Sequence, residues 1–262
     1  MDKRVAVVTG GSSGIGLWTA RALRERGCTV YEFSRTGMGE EGIFHITCDV
    51  TDEQQVRDAV AQVVHEQGRL DLTVNCAGYG ISGAVEFTEV SDARRQMDVN
   101  FFGMVNVNRA SIPELRMTRG KIVNISSVAA TAAIPFQTYY SASKAAINSY
   151  TLSLANELKP FGIRVCAVMP GDTATGFTDA RRKNPTGDDV YGGKISASVT
   201  KMEKDERNGM SAEKAGQYIA SVALSSRNGL LYTIGFSYKC IILLLKLLPV
   251  RVSNWLIGKL YA

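Results

Sequence analysis

Short, wholly apolar runs alternate along this chain with longer stretches whose apolar residues recur every three or four positions. Val5-Ala6-Val7-Val8 is the first such run, directly after the charged Lys3-Arg4. Thr29 to Ser34, Leu70 to Asn75, Lys121 to Ser126 and Arg164 to Met169 repeat the pattern. Runs of this length and β-branched content read as strands buried on both faces. The stretches between them read as helices. One follows the first run and continues to about Arg26, where Gly27 ends it. Another starts at Thr51, with Gln54 completing a capping-box pattern. Val56, Val60, Val63 and Val64 recur behind it at helical spacing. Strands alternating with helices predict parallel strands joined by crossovers, an α/β fold with a doubly wound sheet and helices on both faces. No internal repeat or low-complexity linker divides the chain, so residues 1–235 are expected to form one domain.

Two segments depart from the alternation. Residues 176–210 are polar and lack clear periodicity, and they read as either a substrate lid or a partly disordered segment. Arg181-Arg182-Lys183 within them has two readings, a contact for an anionic substrate or a solvated face. Residues 236–262 form a basic, apolar extension around Ile241-Ile242-Leu243-Leu244-Leu245. Lys246 and Pro249 interrupt it well short of the roughly 18 apolar residues of a membrane span. It has three readings: a cover for the core or substrate pocket, a subunit interface, or a helix on a membrane surface with Trp255 and the lysines at the boundary.

Composition narrows the classes. With 45% hydrophobic and 21% charged residues in 262, the chain is neither disordered nor a coiled coil. The net charge of +5 is unevenly placed. All 25 acids precede residue 214, whereas residues 214–262 hold six cations. No basic reading module for nucleic acid is present, so no nucleic acid partner is expected. Only His45 and His65 are histidines, which excludes a His-rich metal site, and both read as structural or surface residues. The five cysteines, Cys28, Cys48, Cys76, Cys166 and Cys240, form no CxxC pair and read as reduced thiols in a cytoplasmic protein. The charged start running straight into a strand argues against a signal peptide.

Three clusters carry chemistry. Gly10, Gly14 and Gly16 lie between the first strand and its helix, with Ser12, Ser13 and Ile15 among them. Glycines let a backbone approach a pyrophosphate, and the helix N-terminus then presents N–H groups to it. At the end of the second strand, where dinucleotide sites place a ribose-binding acid, the chain has Ser34 followed by Arg35. A guanidinium there suits a 2′-phosphate, so the expected cofactor is NADP(H). The competing acid, Glu32, comes two residues too early. Finally, Tyr140 and Lys144 stand four apart and share a helix face. An ammonium beside a phenol favours phenolate and is expected to lower the tyrosine pKa, which suits carbonyl–alcohol interconversion.

With these motifs in order, the sequence resembles the short-chain dehydrogenase/reductase family over about residues 3–235. Thr9 to Gly16 matches its TGxxxGIG turn and Tyr140 with Lys144 its YxxxK. Asn75-Cys76-Ala77-Gly78 matches NxAG, Asn100 the family asparagine, and Ser127 its serine thirteen residues before the tyrosine. Asp49-Val50 resembles the pair beside the adenine, and Pro170-Gly171 with Thr173 and Thr175 the segment over the nicotinamide. The resemblance implies a Rossmann fold. It implies that Asn100, Ser127, Tyr140 and Lys144 are catalytic: Tyr140 donates the proton, Lys144 holds the nicotinamide ribose, Ser127 bonds the substrate oxygen and Asn100 anchors a proton-relaying water. It also implies that Gly10, Ser12, Ser13, Gly14, Ile15, Gly16, Ser34, Arg35, Asp49, Val50, Asn75, Ala77, Gly78, Pro170, Gly171, Thr173 and Thr175 line the cofactor site together with Asn100, Tyr140 and Lys144, and that the chain forms a homo-oligomer, a dimer or tetramer. The family's frequent TG…DGG ending is replaced by Thr233-Ile234-Gly235-Phe236. That ending resembles the hydroxysteroid, retinol and acyl-dihydroxyacetone-phosphate reductase branch and suggests an apolar steroid-, retinoid- or lipid-like carbonyl or alcohol as substrate. The alternatives are a 3-oxoacyl-thioester reductase and a catalytically silent cofactor sensor.

Overall fold

The apolar runs become parallel strands, as the pattern predicts. The computed structural model describes residues 3–261. In chain order the strands are β1 (Val5–Thr9), β2 (Thr29–Ser34), β3 (Ile43–Thr47), β4 (Leu72–Asn75), β5 (Ile81–Ser82), β6 (Lys121–Ile125), β7 (Arg164–Met169), β8 (Thr173–Ala174), β9 (Arg182–Lys183), β10 (Met210–Ser211) and β11 (Leu231–Thr233). Seven of them form one sheet in the order β11-β7-β6-β4-β1-β2-β3, every neighbour parallel. The order reverses beside β1, and the connections to either side of that point leave a crevice at the strands' carboxyl ends.

The helices are α1 (Gly14–Glu25), α2 (Glu53–Gln67), α3 (Val90–Met97), α4 (Gly103–Thr118), α5 (Thr138–Leu158), α6 (Phe177–Ala180), α7 (Lys194–Arg207), α8 (Ala212–Leu224), α9 (Phe236–Leu247) and α10 (Val250–Tyr261). Two apolar layers hold the sheet. Val8, Leu23, Val30, Val74 and Val123 face Ile219 and Ala223 of α8 on one side. Val7, Phe33, Val60, Ile122 and Leu154 fill the other, under α2, α4 and α5. On the first side α1 and α8 approach so closely that a Cβ on Gly216 would lie 2.5 Å from the Trp18 carbonyl carbon. Gly216 thus packs on the backbone at Trp18, whose half-buried ring lies under the Arg21 guanidinium, 4.8 Å from its centroid.

Several expectations change on contact with the structure. The cap of α2 is Asp52, whose side chain accepts from the Gln54 and Gln55 N–H groups, and not Thr51. Aspartate there satisfies two N-terminal donors directly, so the capping box is not used. His45 is not partnerless. It faces Glu32 across the β2–β3 register and bonds its carboxylate, with Thr47 Oγ1 3.0 Å from the other ring nitrogen. Residues 176–210 are ordered around α6, β9 and the fourteen-residue α7. The basic triplet is neutralised one residue at a time: Arg181 pairs with Glu206, Arg182 with Asp92 and Lys183 with Glu203. Arg181 is buried, so its charge is internal and cannot meet an anionic substrate from solvent.

Candidate active site

The crevice is a cleft of about 470 Å³ above β1, β4, β6 and β7. Its floor begins at the turn after β1. Thr9 Oγ1 accepts from the N–H groups of Cys76 and Ala77, both at 3.1 Å, and ties the ends of β1 and β4 together. That closeness leaves no room for side chains. A Cβ at Gly16 would lie 2.1 Å from the Gly10 carbonyl oxygen, and Gly10 itself has φ +64°. The first turn of α1 contains no acid, and Ser13 at its N-cap makes no side-chain cap. The helix N-terminus therefore keeps free N–H groups and a partial positive charge facing the cleft. These residues fit the pyrophosphate of a dinucleotide.

Beyond this turn the expected cofactor residues divide by place. Gly10, Ser13, Gly14, Ile15, Gly16, Ala77, Gly78, Pro170, Gly171, Thr173 and Thr175 line the cleft. Ser12 is exposed beside it. Arg35 and Asp49 line a second hollow past the end of β2, together with Arg94 and Arg95 of α3. Ser34 precedes them with a buried Oγ that has no hydrogen-bond partner. Val50 is buried against Gly103. Asn75 turns away from the cleft. Its amide donates to Asn108 Oδ1 at 2.7 Å and Asn124 Oδ1 at 2.9 Å, in a buried network that Asn124 extends to Thr151.

The opposite wall carries Ser127, Tyr140 and Lys144. The i, i+4 spacing holds: both Tyr140 and Lys144 lie on α5, with the ammonium 5.7 Å from the phenol ring centroid. Lys144 Nζ donates to the Ile125 carbonyl at 2.8 Å, at the carboxyl end of β6. Burial lowers its pKa to about 8. Tyr140 departs from expectation. Burial pushes its phenol up to about 12, against a smaller lowering by the hydrogen bond with Ser127. The ammonium sits over the ring and spends a proton on a backbone carbonyl, so it does not offset the desolvation of the phenolate. At neutral pH the phenol is therefore a proton donor.

Asn100 lies behind these groups, fully buried in a π-helical turn, Asp98–Phe102, between α3 and α4. Its Oδ1 accepts from Tyr79 N at 3.0 Å, and its Nδ2 donates to Tyr79 O and to Ser143 Oγ. Ser143 in turn donates to the Tyr140 carbonyl at 2.7 Å. The carboxamide thus fixes the loop after β4 to the turn of α5 that bears the phenol.

The rest of the cleft was not visible in the motifs. Ile134, Phe177 and Met202 give it apolar walls, with Phe177 5.8 Å from the Tyr140 ring. Glu206 also lines it, held by Thr178 Oγ1 at 2.7 Å and by Arg181. The last helices close it. Tyr261 of α10 reaches the cleft, and Tyr238 of α9 packs on Gly171, where an added Cβ would meet its ring at 2.2 Å. The Tyr238 hydroxyl donates to the Asp172 carboxylate and accepts from Asp172 N at 3.1 Å. Of the three readings of the extension, its inner side is a cover for the cleft. No short-range signal marks these residues, because each acts through a contact distant in sequence.

Comparison with known proteins agrees with this geometry. Residues 4–186 match the family model for short chain dehydrogenase. The chain is 43% identical over 226 residues to a 3-ketodihydrosphingosine reductase of Bacteroides thetaiotaomicron, covering 85% of this chain and 84% of the other. A short-chain dehydrogenase of Streptomyces avermitilis superposes with a TM-score of 0.81 at 29% identity, over 98% of this chain and 97% of that one. One from Burkholderia cenocepacia, solved in complex with NADP, gives 0.77 at 25% identity over 100% and 98%. The chain therefore belongs to the short-chain dehydrogenase family, nicotinamide-dependent oxidoreductases that act on CH–OH or carbonyl groups.

Proposed function

We propose that this enzyme uses NADP(H) to reduce the carbonyl of an apolar, lipid-like substrate to a secondary alcohol. The observation that carries the reading is the buried phenol of Tyr140 beside Ser127 in a cleft with apolar walls, where burial pushes its pKa up and favours the protonated form. The cofactor, when bound, supplies the hydride. The protein's part is then acid catalysis and orientation. Ser127 and Tyr140 hold the carbonyl oxygen, and Tyr140 passes its proton to that oxygen as negative charge develops on it. Lys144, charged below about pH 8, orients the cofactor ribose. Asn100 positions the Tyr140 turn from behind.

The preference for NADP(H) rests on the end of β2. The acid of that strand, Glu32, is buried and bonded to His45, so it is not available to a ribose hydroxyl. Arg35 is exposed in the neighbouring hollow with Arg94 and Arg95, an arrangement that favours a phosphate. The NADP-bound Burkholderia relative is consistent with this, and the sphingoid-ketone reductase from Bacteroides supports a lipid carbonyl.

The test is titration with NADPH and NADH by nicotinamide fluorescence, followed by assay against a panel of long-chain and steroid ketones. NADPH is expected to bind more tightly, and Arg35→Ala to weaken it about ten- to hundredfold while leaving NADH unchanged. Equal binding of the two cofactors by the wild type overturns the cofactor reading. Reduction confined to small polar carbonyls overturns the substrate reading.

A further inference from the structure

The inner and outer faces of the last two helices differ sharply. On α9, Tyr238, Ile242 and Leu245 face inward at helical spacing, and Ile242 is buried. The opposite stripe, Phe236, Cys240, Leu243, Leu244 and Leu247, is exposed at i, i+4, i+7, i+8 and i+11. Phe236 is 82% exposed and Leu247 75%. On α10, Ile257 is buried while Val252 and Trp255 are exposed, with Trp255 at 59%. Among the described residues, nine of the nineteen large exposed hydrophobic side chains lie in this short terminal stretch. A water-facing surface rarely gathers apolar side chains this way without a partner.

Charge identifies the partner. Lys239, Lys246, Arg251 and Lys259 flank the stripe, all are exposed, and no acid occurs in residues 236–262. A second copy of the chain docked through the same face would bring these cations together, which opposes self-association. A bilayer with anionic headgroups offers both halves of the complement, hydrocarbon for the leucines and negative charge for the lysines. Among the described residues no helix is long and apolar enough to cross a membrane, which leaves the helix pair in the plane of the surface.

We propose that the outer face of α9 and α10 docks the enzyme onto an anionic lipid bilayer. Trp255 lies at the headgroup boundary, and the lysine stems extend along the apolar surface with their ammonium groups on the phosphates. The inner face of the same helices carries Tyr238 and Tyr261 onto the catalytic cleft. An apolar carbonyl can therefore pass from the bilayer to the cleft along one structural unit. This last consequence rests on the proposed function; the docking itself does not.

The experiment is flotation of the full-length chain with phosphatidylcholine vesicles, with and without phosphatidylglycerol, beside light scattering of the protein alone. Binding is expected only to the phosphatidylglycerol vesicles and to weaken as salt rises. Lys246→Gln should reduce the partition coefficient about fivefold. Leu247→Ser should reduce it roughly tenfold, with circular dichroism and NADPH binding unchanged. No flotation with either vesicle, or flotation indifferent to both substitutions, overturns the proposal. So does a dimer in light scattering that Leu247→Ser dissociates without any vesicle binding. Assay with a detergent-dispersed lipid ketone separates the two readings. Reduction without flotation removes the docking and keeps the function, whereas flotation without reduction does the reverse.

Discussion

The central sheet and the terminal helix pair solve opposite problems in one molecule. Every residue of β1, β4 and β6 is buried, and after β1 a Cβ added at Gly16 would run into the Gly10 carbonyl. In α9 and α10 only Ile242 and Ile257 are buried. The sheet holds its groups by packing on all sides. The helix pair holds Gly171 and Asp172 through one aromatic ring and a hydroxyl. Fixed geometry at the floor of the cleft thus comes from the sheet, and its outer boundary comes from helices that bury little of their own surface.

The sharpest way to isolate the chemistry proposed for α5, which packs against the sheet, is Tyr140→Phe. It removes the proposed proton donor and leaves the packing, so kcat should fall by about 10² to 10⁴ while NADPH binding persists. Comparable loss of cofactor binding would show that the hydroxyl is structural. Ile122→Ala probes the packing itself. This side chain is fully buried between the sheet and α4, and its truncation should lower unfolding free energy by about 2–5 kcal/mol in urea titration. A similar loss from a truncation on the outer stripe of α9 would erase the contrast between the regions.

Proton chemistry gives a smaller effect with a definite sign. Lys144 loses its charge as pH rises through about 8, whereas Tyr140 stays protonated to about 12. Carbonyl reduction should therefore hold steady below about 8 and drop roughly tenfold by about pH 9. A pH–rate profile flat across that range would remove the Lys144 charge from the mechanism. The smallest effect is expected where the two regions meet. Tyr238→Phe keeps the ring on Gly171 and gives up both bonds to Asp172, which should cost about 1 kcal/mol of stability. The readout that matters is KM for the lipid ketone, expected to rise severalfold with kcat little changed.

What the sequence disclosed follows the same division. The strands, the glycine turn and the Tyr140–Lys144 pair are local patterns, set by periodicity and by spacing along one helix. Their positions were legible, as was the fold class. Electrostatics was less so. The spacing of Tyr140 and Lys144 suggested a lowered phenol pKa, but the hydrogen bond from Lys144 to Ile125 and the burial of both groups reverse the direction. His45 and Glu32 looked unrelated until the β2–β3 register set them opposite each other. Residues 176–210 looked irregular because α7 buries only Ile195, Ser198 and Met202, too narrow a stripe to stand out among its charges. Tyr238, Glu206 and Tyr261 reach the cleft across long sequence separations, and nothing adjacent to them announces it.

The ring of Tyr238 on Gly171 also bears on how the molecule is made. A chain leaving the ribosome presents β1 to β7 first, and domains begin to fold as they emerge. The segment around Gly171 and Asp172 meets its partner only when residue 238 arrives, after the whole sheet, β11 included, has been synthesised. The nascent enzyme can therefore assemble its glycine turn and the turn of α5 that bears Tyr140 while one wall of the cleft is still untranslated. A chain released before α9 would carry the glycine turn and Tyr140 in an unclosed crevice, so the arrival of α9 is a late step in building the site.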